Sequence, residues 1–357
     1  KDLEDGEIEL FNEYFFKDLS DYQLLWQVQA DGEVIQSGRV EELKLGPQQS
    51  RTLELDYDIE DKDHREWFLN LSVVTKQSLP LLEQGHEVAK EQFKLPVIQS
   101  AREQSSYDDL PALKLYDTER IATVAGQNFE LRFSKLRGQL AGWRSHGQEL
   151  LKQAPMINFW RAPNDNDFGA GLQDKLRIWK LASERQTLEN ASLVRYDNGD
   201  IGFKTRFAVP DVGGKVAIDY RVNRAGDVQV DYSLTLHNDD IPMIPRVGLN
   251  LELFEEFDQL RFYGRGPHEN YQDRHYSAHV GLYQSTVDEQ YHPYIRPQES
   301  GYKTGVRWAK LVNQHGQGVA IVGRPTFDFS ALHYRIADLD PGMVRQNYPS
   351  GELEPRE

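Results

Sequence analysis

From Val228 to Leu236 every second residue is apolar: Val228, Val230, Tyr232, Leu234 and Leu236 alternate with Gln229, Asp231, Ser233 and Thr235. A period of two sends one set of side chains to each face of a strand, one toward a core and the other toward water, which is the mark of an antiparallel sheet covered on one side. The pattern returns at Phe129, Leu131 and Phe133, at Val216, Ile218, Tyr220 and Val222, and at Val247, Leu249, Leu251 and Leu253. It also fills the first hundred residues, at Leu24, Trp26, Val28 and Ala30, at Leu53, Leu55 and Tyr57, and at Trp67, Leu69, Leu71 and Val73. Asp31-Gly32, followed by Val34, reads as a hairpin turn, and Asn223 to Asp227 is a hairpin-length loop between Val222 and Val228. Helical spacing occurs once, at Leu172, Leu176 and Trp179, just after Gly169 and Gly171. The expectation is an all-β chain of mostly antiparallel sheets with a single short helix.

The strands fall into two groups. Residues 1–98 hold several short strands at sandwich-like spacing, with Asp18 to Asp21 and the acidic run Asp56 to Asp63 as solvated loops. Residues 99–112 have no apolar period and are polar, so they read as a linker. Residues 113–357 would form a second, larger sandwich, and 357 residues leave room for two or three domains with cores of their own.

Charge and composition narrow the classes of partner. With 41 Lys and Arg against 57 Asp and Glu, a net charge of −16 repels nucleic-acid phosphates and anionic lipid, so neither nucleic acid nor membrane is an expected partner. The absence of cysteine excludes disulfides and thiolate metal sites, and it leaves a cytoplasmic or periplasmic location equally open. Lys1-Asp2-Leu3-Glu4 is no signal peptide and has no initiator methionine, so the chain is expected to start inside a longer one. His275 and His279 stand four apart, but the residues between them make no helical stripe and no metal site is expected there. Gly264 and Gly266 run into Pro267 rather than a helix, which argues against a phosphate loop.

One stretch has neither period: Asn158-Phe159-Trp160-Arg161-Ala162-Pro163-Asn164-Asp165-Asn166-Asp167-Phe168-Gly169. Phe159 and Trp160 can anchor it, Pro163 fixes a backbone angle, and Asn164 to Asp167 can close turns on their own amides. A well-tied surface turn and a polar loop facing a sugar or a neighbouring domain both fit such a composition.

R-A-P-x-D-N-D-x-G after an aromatic, together with Tyr263 to Arg274, Tyr291 to Gly301 and Phe327 to Leu332, resembles the C-terminal part of large bacterial β-galactosidases of glycoside hydrolase family 2, with four motifs in the family's order. The resemblance covers residues 115 to 357, and residues 1 to 98 resemble the immunoglobulin-like β-sandwich that precedes this region in the same enzymes. It implies a small immunoglobulin-like sandwich followed by a large antiparallel β-supersandwich similar to galactose mutarotases, cut short at its C-terminus. Family glycosidases place both catalytic glutamates on a (β/α)₈ barrel ahead of this region, and a barrel needs about 250 residues of alternating strand and helix, a pattern absent here. The chain is therefore expected to carry no catalytic residue and no cofactor; the Mg and Na that the parent family often uses belong to the absent domains. Its implied partners are the catalytic barrel of the parent polypeptide and β-galactosides, with carbohydrate binding and homo-oligomer contacts as the roles of these accessory domains.

The resemblance also directs attention to individual residues. Arg161, Asp165, Asn166, Asp167 and Gly169 form the loop expected on the substrate side, and the glycines at 169 and 171 would let it move. Phe159, Trp160, Glu269, Asn270, Asp273 and Arg274 are expected to be structural, with Arg274 pairing with a carboxylate. The runner-up is a stand-alone mutarotase-like sugar-binding or epimerase module, in which His268 and Glu269, or His275, would act as acid and base.

Overall fold

Alternation along the first ninety-six residues is realised as two small sheets around one core, in a computed structural model that describes residues 2–59, 65–96, 107, 109–340 and 342. β1 (Glu7–Phe11) pairs with β4 (Ser50–Glu54), while β2 (Tyr22–Ala30), β3 (Glu33–Val40), β5 (Trp67–Thr75) and β6 (Glu87–Lys94) make a sheet in the order β3-β2-β5-β6. Their inward residues, among them Ile8, Leu24, Trp26, Val28, Leu53, Trp67 and Leu69, pack into a single cluster. Asp31 and Gly32 both take positive φ, 50° and 84°, the mirror-image turn whose twist suits a two-residue hairpin. Most of the stretch read as a linker, and Glu60 to Asp63 of the acidic run, lie outside the described residues.

Beyond residue 112 the strands continue. β7 (Lys114–Asp117), β8 (Ile121–Ala125), β9 (Phe129–Ser134), β10 (Gln139–Ser145) and β11 (Gln148–Glu149) form a five-stranded sheet in sequential order. β12 (Leu151–Asn158) leads into three short helices, α1 (Asp165–Ala170), α2 (Leu172–Lys175) and α3 (Arg177–Glu184), after which β13 (Thr187–Arg195), β14 (Ile201–Val209), β15 (Gly214–Val222) and β16 (Val228–Leu236) make a four-stranded meander. These two sheets face each other across the largest core, where Leu131, Phe133, Phe203, Ile218 and Tyr220 meet. β17 (Gly248–Leu253) pairs with β12. A last sheet, in the order β19-β18-β20-β21, comprises β18 (Gln259–Gly266), β19 (His279–Thr286), β20 (Lys303–Val312) and β21 (Gly318–Phe329), and α4 (Ile336–Leu339) follows it. Every ladder among the described residues is antiparallel. The all-β expectation holds, and the longest alternation, at β16, lies on a sheet edge with Val230 43% exposed.

Helix content departs from expectation. The run around Leu172 and Trp179 is two helices broken at Leu176, and Asp165 to Ala170, read from sequence as aperiodic loop, is itself helical. Six residues span less than two turns, too few for a 3.6-residue period to show.

Candidate functional site

Three of the four motifs, Asn158 to Gly169, Tyr263 to Arg274 and Tyr291 to Gly301, are linked to one another by hydrogen bonds. Phe159 is fully buried edge-on to Trp179, with ring centroids 5.6 Å apart, and its amide donates to Ser183 Oγ at 2.8 Å. Trp160 donates its indole N–H to Asp340 Oδ2 at 2.9 Å, and Lys180 Nζ reaches the same oxygen at 2.6 Å. These two aromatics anchor the loop to α3 and to the end of α4.

Asn164 then caps α1. Its Oδ1 accepts the Asp167 amide at 2.9 Å, and the Asp167 carboxylate accepts the Asn164 amide at 2.9 Å, a reciprocal pair that satisfies two otherwise orphaned donors. Arg161 closes on the same carboxylate in two-pronged fashion, Nη1 to Oδ2 at 2.6 Å and Nη2 to Oδ1 at 2.9 Å. Arg161 and Asp167 are thus brought together, with Asp167 buried. Asp165 and Asn166 point outward from the same turn and are exposed. Gly169 is an exposed helix residue of ordinary φ, whereas Gly171 is left-handed at φ 68° and closes α1. The Asp165 amide donates to Gln298 Oε1 at 3.4 Å, linking this loop to the segment Tyr291 to Gly301.

The second motif builds a denser network. Glu269 accepts from Arg274 Nη2 and the Tyr294 hydroxyl at one oxygen and from the Gly301 amide at the other, at 2.9 Å. Burial pushes this carboxyl up, but the Tyr294, Gly301 and Arg274 donors together outweigh it and leave it below its ordinary value. Asn270 is fully buried: its Oδ1 accepts from the Thr304 amide and hydroxyl, and its Nδ2 donates to the Arg265 and His268 carbonyls, each at 3.1 Å. Asp273 sits exposed on the adjacent turn. His268 pairs through Nε2 with Ser277 Oγ at 3.0 Å, and burial and nearby cations hold it below its usual range. His275 lies in the turn before β19 and His279 begins that strand, so the pair shares no helix.

Several members of this network carried no signal that the sequence reading used. Arg246 donates to Glu299 at 2.5 Å and lies over the Tyr302 ring, which stacks on Tyr271 at 5.4 Å. Lys303 is 1% exposed, donates to the Gly301 carbonyl, and is pushed down to about 8 by burial, with the Glu269 charge partly opposing. Glu299 lies inside a quoted motif and could have been nominated from it; Arg246 and Lys303 could not.

The family model described as "Beta galactosidase small chain" matches residues 125–355, and one described as "Beta-galactosidase, domain 4" matches residues 8–96. The chain belongs to the β-galactosidase small chain family. Similar proteins include β-galactosidases of Priestia megaterium (33% identical over 94% of this chain), Lactobacillus delbrueckii subsp. bulgaricus (30% over 95%) and Halalkalibacterium halodurans (30% over 87%). The chain spans about a third of the length of these relatives. All four motifs fall within the small-chain match, and the stand-alone mutarotase-like reading is not favoured, because the similar proteins carry the β-galactosidase name and Glu269 spends both oxygens on donors of its own chain.

Proposed function

We propose that this chain supplies the non-catalytic sandwiches of a β-galactosidase that hydrolyses terminal β-D-galactosyl residues, docking against a catalytic barrel that lies in the remainder of such enzymes. The observation that carries the reading is the small-chain match over residues 125–355 combined with one-third coverage of the relatives. Residues 1–98 and 113–357 act as two units in this reading, supporting the barrel, carbohydrate contact and oligomer contacts. The loop Arg161 to Gly169 is the part nearest the active-site mouth, with Asp167 braced by Arg161 and with Asp165 and Asn166 facing outward.

The purified chain should leave a chromogenic β-galactoside uncleaved; turnover that survives repurification would overturn the assignment. In a full-length relative, replacing the residues equivalent to Asp165 and Asn166 should alter KM or turnover without lowering the melting temperature. Unchanged kinetics would make the loop a brace and nothing more.

A further inference from the structure

A carboxylate from the first sandwich is embedded against the last sheet of the second. Glu66, just ahead of β5, is 9% exposed and is gripped by Arg307 of β20, Nε to Oε2 and Nη2 to Oε1, both at 2.7 Å. Lys94 of β6 reaches Oε1 at 2.9 Å and the Tyr263 hydroxyl of β18 donates to Oε2 at 3.2 Å. A forked guanidinium on a carboxylate fixes direction as well as distance, because two parallel bonds permit little rotation. Beside it, Gln92 of β6 takes the place of a strand: its Oε1 accepts the Val280 amide at 2.7 Å and its Nε2 donates to the Val280 carbonyl at 2.8 Å, on the edge strand β19. The hairpin tip closes the contact, since a Cβ on Gly32 would lie 2.8 Å from the Leu282 amide.

The apolar part of this junction is small. Phe68, Tyr263 and Val280 are its buried members, against fifteen buried residues in the core of the first sandwich and twenty in the largest core of the second. Each sandwich therefore has far more holding it together than the pair has holding it to its neighbour. Polar contacts dominate the joint, and Lys94 is already 60% exposed.

We propose that Glu66 is the keystone of a polar latch that fixes the two sandwiches in one relative orientation, and that opening it lets them reorient while each stays folded. The inference rests on the division into two units proposed above.

The cysteine-free sequence permits a direct test. Val34→Cys and Leu136→Cys place a nitroxide at an exposed position of each sandwich, and their separation is read by double electron–electron resonance, with folding followed by circular dichroism. The parent should give one narrow distance distribution. Glu66→Gln should at least double its width with the strand signal intact, and Gln92→Ala should broaden it less. Asp219→Asn, which breaks an ion pair with Arg206 inside one sandwich, should leave it narrow. A narrow distribution in Glu66→Gln, whatever Gln92→Ala gives, or a parent already broad, would overturn the latch. Loss of the whole strand signal in Glu66→Gln would overturn the division itself, since Glu66 would then belong to one cooperative core.

Discussion

Replacing Asp167 by asparagine tests what the loop after β12 is for. The carboxylate takes both prongs of Arg161 and the Asn164 amide, and it is buried while Arg161 remains 22% exposed. Asparagine keeps one acceptor oxygen but turns an NH₂ toward the guanidinium, so the two-pronged pairing is lost and Arg161 keeps its charge in a partly dry site. Hydrogen bonds to charged groups contribute about 1.5–3 kcal/mol, and breaking a buried pair costs about 3–5 kcal/mol; the partial exposure of Arg161 brings the expected loss to about 2–4 kcal/mol. At roughly 2 °C per kcal/mol for a domain of this size, the melting temperature should fall by about 4–8 °C. Thermal unfolding followed by near-ultraviolet circular dichroism is the assay, because Trp160 and Trp179 pack beside the loop. Asp165→Asn and Asn166→Ala, at exposed positions of the same turn, should each change stability by no more than about 0.5 kcal/mol. Asp167→Asn melting within about 1 °C of the parent would refute the brace.

The two glycines of the loop should respond with opposite signs: Gly169→Ala, helical with nothing within 4 Å of the added carbon, should stabilise by about 0.4–1 kcal/mol, and Gly171→Ala, at φ 68°, should destabilise by about 1 kcal/mol, both read by urea unfolding. Lys303, pushed down to about 8 by burial from its ordinary 10.5, binds its proton less tightly folded than unfolded, so stability should rise by up to about 3 kcal/mol between pH 8 and 10.5, and Lys303→Met should abolish that rise in pH-dependent denaturation. For Glu66, burial raises the carboxyl, but Arg307 and Lys94 together bring it to about 2, so its contribution is complete above pH 4.5 and is lost as the pH falls toward 2; acid titration of the parent against Glu66→Gln should differ by up to about 3 kcal/mol over that window.

Strands such as β2, β5, β9, β15, β16 and β17 were legible because each carries its own period, whereas β18 to β21 of the last sheet show no such alternation and stood out only as motifs. Val216 to Val222 and Trp67 to Val73 announce their faces without help from the rest of the chain, and Asp31-Gly32 names its own turn. The cap on α1 is written in the same letters, since Asn164 and Asp167 are three apart, the spacing of a capping box; the six-residue helix behind it is too short to show a period of its own, so the letters alone signal only a turn. Glu269 and Arg274, five apart, could be paired by spacing. Contacts such as Trp160 with Asp340, 180 positions apart, or Arg307 with Glu66, 241 apart, could not, because local pattern carries no register between distant elements.

A glycosidase carboxylate must present an oxygen to its substrate, either to attack or to pass a proton. Asp167, Glu66 and Glu269 each have both oxygens occupied by donors of this chain, and Glu299 is held by Arg246. Carboxylates spent in this way hold backbone in place: Glu269 takes the Gly301 amide and Asp167 the amide that starts α1. Asp165 and Asn166, both exposed, lie on the same turn, between an Asn164 and an Asp167 held by the cap and by Arg161. In the reading proposed above, these braced carboxylates position backbone, and the chemistry belongs to the remainder of such enzymes.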